Sequence, residues 1–149
     1  MDLIFLLMLI ALGYFSGTYA EKRHYRSIER REGQTAQLPA VSLKTVDFPG
    51  RKVRSARMVH GSAVISVDYF KRILAGLRNV FGGRVKSYES LLDRSRREAM
   101  LRMKEMAGGA SVIVNVRIET STIGKSSRRR RNVSCLETMV YGTALTLEK

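Results

Sequence analysis

Leu3 to Ala20 carries no charged residue, and Leu3 to Leu12 (LIFLLMLIAL) has no polar side chain at all. An 18-residue helix rises about 27 Å, close to the roughly 30 Å hydrocarbon thickness of a bilayer. Tyr14, Phe15 and Tyr19 gather at the far end, where amphipathic rings favour the headgroup level. The pattern predicts a transmembrane anchor over residues 1–20. A cleaved signal peptide would place positive charge before the apolar run and a small-x-small site after it. Here Asp2 precedes the run, and Thr18-Tyr19-Ala20 has a tyrosine in the middle. The basic residues Lys22, Arg23, Arg26, Arg30 and Arg31 follow it. The positive-inside bias then puts Met1 outside and the carboxy-terminal domain in the cytoplasm, at the inner cell membrane.

Residues 21–56 read as a basic juxtamembrane segment and linker. Glu21 to Glu32 mixes basic and acidic side chains, a solvated face that also suits contact with anionic lipid. Leu38 to Phe48 carries Pro39 and Pro49 near its ends and alternates weakly, which predicts a linker with a possible edge strand.

Regular periodicity occupies residues 57–149. Met58 to Val67 is β-branched and apolar, with Gly61 marking a bulge or a close backbone approach. Asp68 can cap a helix whose stripe is Tyr69, Phe70, Ile73, Leu74, Leu77, Val80 and Phe81, ending at Gly82-Gly83. A second helix opens at Ser87 with the stripe Tyr88, Leu92, Ser95, Ala99, Met103 and Met106, and ends at Gly108-Gly109. Its small middle residues leave room for something to pack very close. Asp93 with Arg97 and Glu98 with Arg102 stand at i,i+4, acid first. Val112 to Glu119 alternates as a strand with one dry and one mixed face. Val133 to Leu147 is a last strand whose phase shifts near Glu137, predicting a bulge there. The order strand, helix, helix, strand, strand implies an α+β, two-layer domain, a small antiparallel sheet with both helices on one face. The other face, with Ile113, Met139 or Tyr141, and at least one edge would stay bare in a monomer, so a homo-oligomer is expected.

Charge and composition narrow the chemistry. The chain has 27 Lys and Arg against 13 Asp and Glu, a net +14, with one Cys and two His. A disulfide framework and a four-Cys or two-Cys/two-His zinc site within one subunit are excluded. His60 and Cys135 are the candidate metal ligands, weak ones, because no pair of imidazole or thiolate stands at ligand spacing and only a site between subunits would suffice. His24 reads as structural, and Met100, Met103 and Met106 read as core. Gly82-Gly83-Arg84 follows a helix, not a strand, so it is no phosphate loop, and no catalytic constellation occurs. Glu89 and Arg96, seven residues apart, project from one side of their helix and with Arg84 suit an ion-pair network between subunits. Arg128, Arg129, Arg130 and Arg131 form the tip of the turn before the last strand. The readings for them are a solvated tip or contact with anionic lipid. Nucleic acid is disfavoured, since stacking aromatics are missing beside them.

Gly61-Ser62-Ala63-Val64, Asp68-Tyr69-Phe70, Phe81-Gly82-Gly83-Arg84, Tyr88-Glu89, Arg96 with Ala99, and Gly142-Thr143-Ala144 form an ordered series over about Val59 to Leu147. In this series the chain resembles the bacterial YbjQ-like family, described as heavy-metal-binding domains. The resemblance implies a dodecin-like β-α-β-β topology and a ring of five subunits, and casts Gly61, Gly82, Gly83, Arg84, Tyr88, Glu89, Arg96 and Gly142 as structural or intersubunit residues. The expected function is a binding domain that takes a heavy metal or small ligand between subunits. The alternative is a structural scaffold at the membrane, using its basic surface on anionic lipid or acidic partners.

Overall fold

The structure, a computed structural model, describes residues 2–66, 86–123 and 135–148. Its elements are α1 (Asp2–Thr35), β1 (Val53–Ser66), α2 (Lys86–Met106), β2 (Val112–Ile123) and β3 (Cys135–Leu147). The strands form one antiparallel sheet in the order β1-β3-β2, with β1 paired to β3 from Val53↔Leu147 to Ser66↔Cys135. The α+β class is therefore as expected. The helix expected over Tyr69 to Phe81 lies outside the described residues.

The segment around Ala40 adds a short parallel partner to β2. Ile113 N–H donates to the Pro39 carbonyl at 2.9 Å, and Val41 N–H to the Ile113 carbonyl at 2.9 Å. Proline suits this place because it supplies a carbonyl and is asked for no N–H. Leu38 to Phe48 is thus a linker with a single β-bridge at Ala40, and it lies along the outer edge of β2.

Helix α2 crosses β1 on the inner face of the sheet. Val59, Gly61, Ala63 and Ile65 alternate inward along β1, and Leu136, Thr138, Val140, Gly142 and Ala144 along β3. Val59, Ala63, Ala99, Met103, Ala107, Ile113, Val116, Val140 and Ala144 form the core. The close approach expected at Gly61 is present: a Cβ there would stand 2.8 Å from the Arg102 Cβ and overlap the Ala99 carbonyl oxygen and the Met103 amide nitrogen.

Two strand details differ from expectation. The β3 register runs unbroken through Glu137, so there is no bulge at that position. Thr138 is a polar residue at a core position, which imitates a phase shift in the sequence. The register shifts instead between Val53 and Ser55 of β1 and, with three steps opposing two on β3, between Val114 and Arg117 of β2. Asn115 sits there with φ 53°, the left-handed region that asparagine tolerates better than most side chains. The extra residue puts Ile113 and Val116 into the core together, whereas strict alternation had set them on opposite faces.

Among the described residues no helix is long and apolar enough to cross a membrane. This overturns the transmembrane anchor over residues 1–20, the inner-membrane location and the placement of Met1 outside. The unbroken apolar run is Leu3 to Leu12, about 15 Å of helix against a core of about 30 Å. From Gly13 onward Gly, Ser, Thr and Tyr interrupt it, and α1 continues without a break into the charged stretch up to Thr35.

Candidate functional site

Two places concentrate polar chemistry. The first is the sheet face turned away from α2. Along β1 it carries Met58, His60, Ser62 and Val64, opposite Thr143, Tyr141, Met139 and Glu137 of β3. Tyr141 also faces Arg117 of β2, so His60, Tyr141 and Arg117 make one cross-strand row. Met58 and Val64 are 65% and 58% exposed, and His60 is exposed between them. Met58 lies two positions from His60 on the same strand face, and Met139 lies diagonally across, about 7 Å between Cβ atoms in such pairs. One imidazole and two thioethers thus share one open face.

The outer edge of β1 is closed at this point by α2. The His60 amide donates to Met106 Sδ at 3.4 Å, Arg102 Nη1 donates to the Ser62 carbonyl at 2.8 Å, and Arg57 Nη2 to the Gly108 carbonyl at 2.9 Å. Edge groups that would template another strand are met by side chains and by the helix end.

Cys135 is half-buried at the start of β3, opposite Ser66. Ser66 is six positions from His60, about 20 Å along a strand. The two candidate ligands therefore share a sheet but no site within one chain. Among the described residues no three His, Cys, Asp or Glu side chains gather closely enough to hold a metal ion. His60 shares its sheet face with the thioethers of Met58 and Met139, ligand types that suit soft ions better than Zn²⁺.

The second place is the α1–α2 interface, centred on Glu98, whose side chain is 6% exposed. Arg31 Nη1 and Arg102 Nε each donate to its carboxylate at 2.8 Å, and His24 Nε2 lies 3.7 Å away. Arg31 also binds Glu105 with Nε at 2.7 Å and Nη2 at 3.0 Å. Arg97 grips Glu32 with two donors at 2.8 and 2.6 Å, approaches Asp93 at 3.7 Å, and lies over the Tyr25 ring. Tyr25 O–H donates to the Ser90 carbonyl at 3.0 Å, and Ile28 is fully buried beside them.

Burial pushes the Glu98 carboxyl up, but the hydrogen bonds from Arg102 and Arg31 outweigh it and hold the group below the usual carboxylate range. Arg97 likewise holds Glu32 low. His24 is pushed down by burial and by Arg94, Arg31 and Arg102, against the pull of Glu98. The expected pairs Asp93–Arg97 and Glu98–Arg102 are both present. The role of Glu98 in clamping α1 was missed, because an i,i+4 pair on a charged helix reads as solvated surface. The signal available was the matching acid and base content of Glu21 to Glu32.

Of the family-motif residues, Gly61 and Gly142 pack against neighbours. A Cβ on Gly142 would meet Ile113 Cγ2 at 3.0 Å and the Val114 carbonyl at 3.1 Å. Tyr88 lies in the first turns of α2, and Glu89 and Arg96 are exposed along it. Gly82, Gly83, Arg84 and the run Arg128 to Arg131 lie outside the described residues.

Comparison with known proteins agrees with this arrangement of motifs. A family model described as "YbjQ_1: Putative heavy-metal-binding" matches residues 41–148. A UPF0145 protein of Hahella chejuensis is 39% identical over 104 residues, covering 68% of this chain and 92% of that protein. One from Dehalococcoides mccartyi is 37% identical over 111 residues, covering 72% of this chain and 99% of that protein. A crystal structure of a protein of unknown function from Pediococcus pentosaceus aligns over 74% of this chain and 98% of its own, with a TM-score of 0.45 and 13% identity. The matched segment takes in the whole sheet and α2, begins just after the bridge residue Ala40 and leaves out α1, so the chain belongs to the YbjQ_1 family through residues 41–148.

Proposed function

We propose that the protein is a homo-oligomeric binding module whose ligand is a soft heavy-metal ion held on the open sheet face between subunits. The observation that carries this reading is the set Met58, His60 and Met139 on a face that no described element covers. One imidazole and two thioethers from a single chain leave a soft ion short of ligands and exposed to water. A second copy placed against the same face would supply the missing donors and bury Met58, Val64 and Met139 together. Cys135, about 20 Å from His60, takes no part in this set.

The test is anaerobic titration of the full chain with Ag⁺ and with Zn²⁺, alongside its mass by light scattering. The reading expects an oligomer that takes up Ag⁺ stoichiometrically and in preference to Zn²⁺. It expects loss of uptake in His60→Ala and in Met58→Leu/Met139→Leu, with uptake retained in Cys135→Ser. A monomer, or uptake indifferent to those substitutions, would overturn it.

A further inference from the structure

We infer that the amino-terminal half of α1 is a coiled-coil arm that pairs with α1 of a second copy of this chain, along a seam of Phe5, Met8, Leu12, Phe15 and Tyr19. The steps between these residues are 3, 4, 3 and 4, the a/d spacing of a heptad repeat. All five are open in the chain: Phe5 is 63%, Met8 69%, Leu12 66%, Phe15 70% and Tyr19 69% exposed. With the neighbouring Ile4 and Leu9 they present on the order of 800 Å² of apolar surface, which is what one partner brings to an interface of standard size. A monomer seldom leaves so large a patch in water.

The shape of the stripe matches the occupant. A shallow hollow of about 240 Å³ is lined by Phe5, Met8, Leu9, Ala11, Leu12 and Phe15. Ala11 is the smallest residue of this lining, and among the larger side chains it leaves space of the kind that receives one side chain from a facing helix. Nothing charged from Leu3 to Ala20 offers recognition to an unlike partner, whereas an identical stripe is complementary by the same spacing. The next seam positions after Tyr19 are Lys22 and Arg26, which would set like charges against each other. Pairing therefore stops where α1 begins to dock on its own α2 through Tyr25, Ile28, Arg31 and Glu32. One helix serves two contacts end to end: the charged half is clamped to the domain, and the apolar half reaches out for another copy.

This arm is separate from the sheet face and does not depend on the proposed ion site. It is tested in the full chain carrying Cys135→Ser, with a cysteine placed either on the seam (Met8→Cys) or on the opposite side (Ile10→Cys), under mild oxidation with diamide. Disulfide-linked dimers are expected several-fold more from Met8→Cys than from Ile10→Cys, and adding Leu12→Lys should abolish them. The solution mass of the Leu12→Lys chain reports separately on any assembly through the sheet face, so failure of one interface is distinguishable from failure of the other. Equal cross-linking at the two positions, or none at Met8, overturns the inference. So does flotation of the chain with phosphatidylcholine vesicles accompanied by loss of the Met8 cross-link, which would make lipid the occupant.

Discussion

Gly61 of β1 lies directly under the backbone of α2 at Ala99, with no room between them for a methyl group. The helix comes this close because Ser95 and Ala99 are small and the strand has no side chain at that point. Gly61→Ala must push α2 off the sheet, since the atoms it meets include backbone as well as the Cβ of Arg102. Overpacking of this kind costs about 1–3 kcal/mol, and the backbone obstacle puts this case at the upper end. Urea unfolding of the two proteins measures it directly, and a cost below about 0.5 kcal/mol would show that α2 is held less rigidly than the close approach implies.

Asn115 is the hinge of the β2 bulge, and its backbone rather than its side chain is what the fold uses. At φ 53° a β-branched residue is strained, whereas glycine is not. Asn115→Val should cost about 1–2 kcal/mol, and Asn115→Gly should be near neutral. If both variants unfold at the same denaturant concentration, the left-handed conformation is not what sets this position.

The contrast between these two sites shows what was legible in the sequence. Glycine followed by small helix residues is a pattern, and it announced the close packing of α2 on β1. Asparagine within a β-branched run has no such signature, so strict alternation was carried through residues 112 to 119 and the inward pair Ile113 and Val116 was split. Glu98 failed for another reason. Its buried surroundings come from α1, and sequence periodicity within α2 carries no information about a helix that packs on the opposite side. The stripe read for α2 named Ser95, Ala99 and Met103 correctly, but Leu91, Glu98 and Leu101 are also buried, while Met106 is 45% exposed. The apolar run of α1 was legible as a helix. Its length alone suggested a span, although the part without any polar side chain covers about half of one.

The Glu98 clamp makes the docking of α1 sensitive to acid. Glu98 and Glu32 lie below their ordinary value of 4.5 when docked, so their contribution is complete above that pH and is lost as the pH falls through the docked values. His24 is lowered from 6.5, so the docked form also loses ground as the pH falls below 6.5. All three groups act in the same direction. Hydrogen exchange should show the amides from about Tyr25 to Thr35 protected at pH 7 and progressively exposed toward pH 3, with β1 and β3 protected longer. Glu98→Gln should reproduce much of this loosening at pH 7, at a cost of about 1–2 kcal/mol, because Arg31 keeps Glu105 as a partner. Protection of α1 that is unchanged between pH 7 and pH 3 would refute the clamp.

Ser95 of α2 and Thr138 of β3 are both fully buried and share a hydrogen bond between their hydroxyl groups. Each is the other's partner, so removing one hydroxyl leaves the second in an apolar site with its desolvation uncompensated. Ser95→Ala and Thr138→Val should each cost about 1–3 kcal/mol, whereas the double variant should cost less than the sum, since two apolar groups then meet in the same volume. A coupling of about 1 kcal/mol or more in denaturant unfolding would show that the pair acts as a unit and fixes the register of helix on strand. Additivity of the two losses would instead mean that each hydroxyl finds another partner, and that the polar residue in the middle of β3 is tolerated by the core without being used by it.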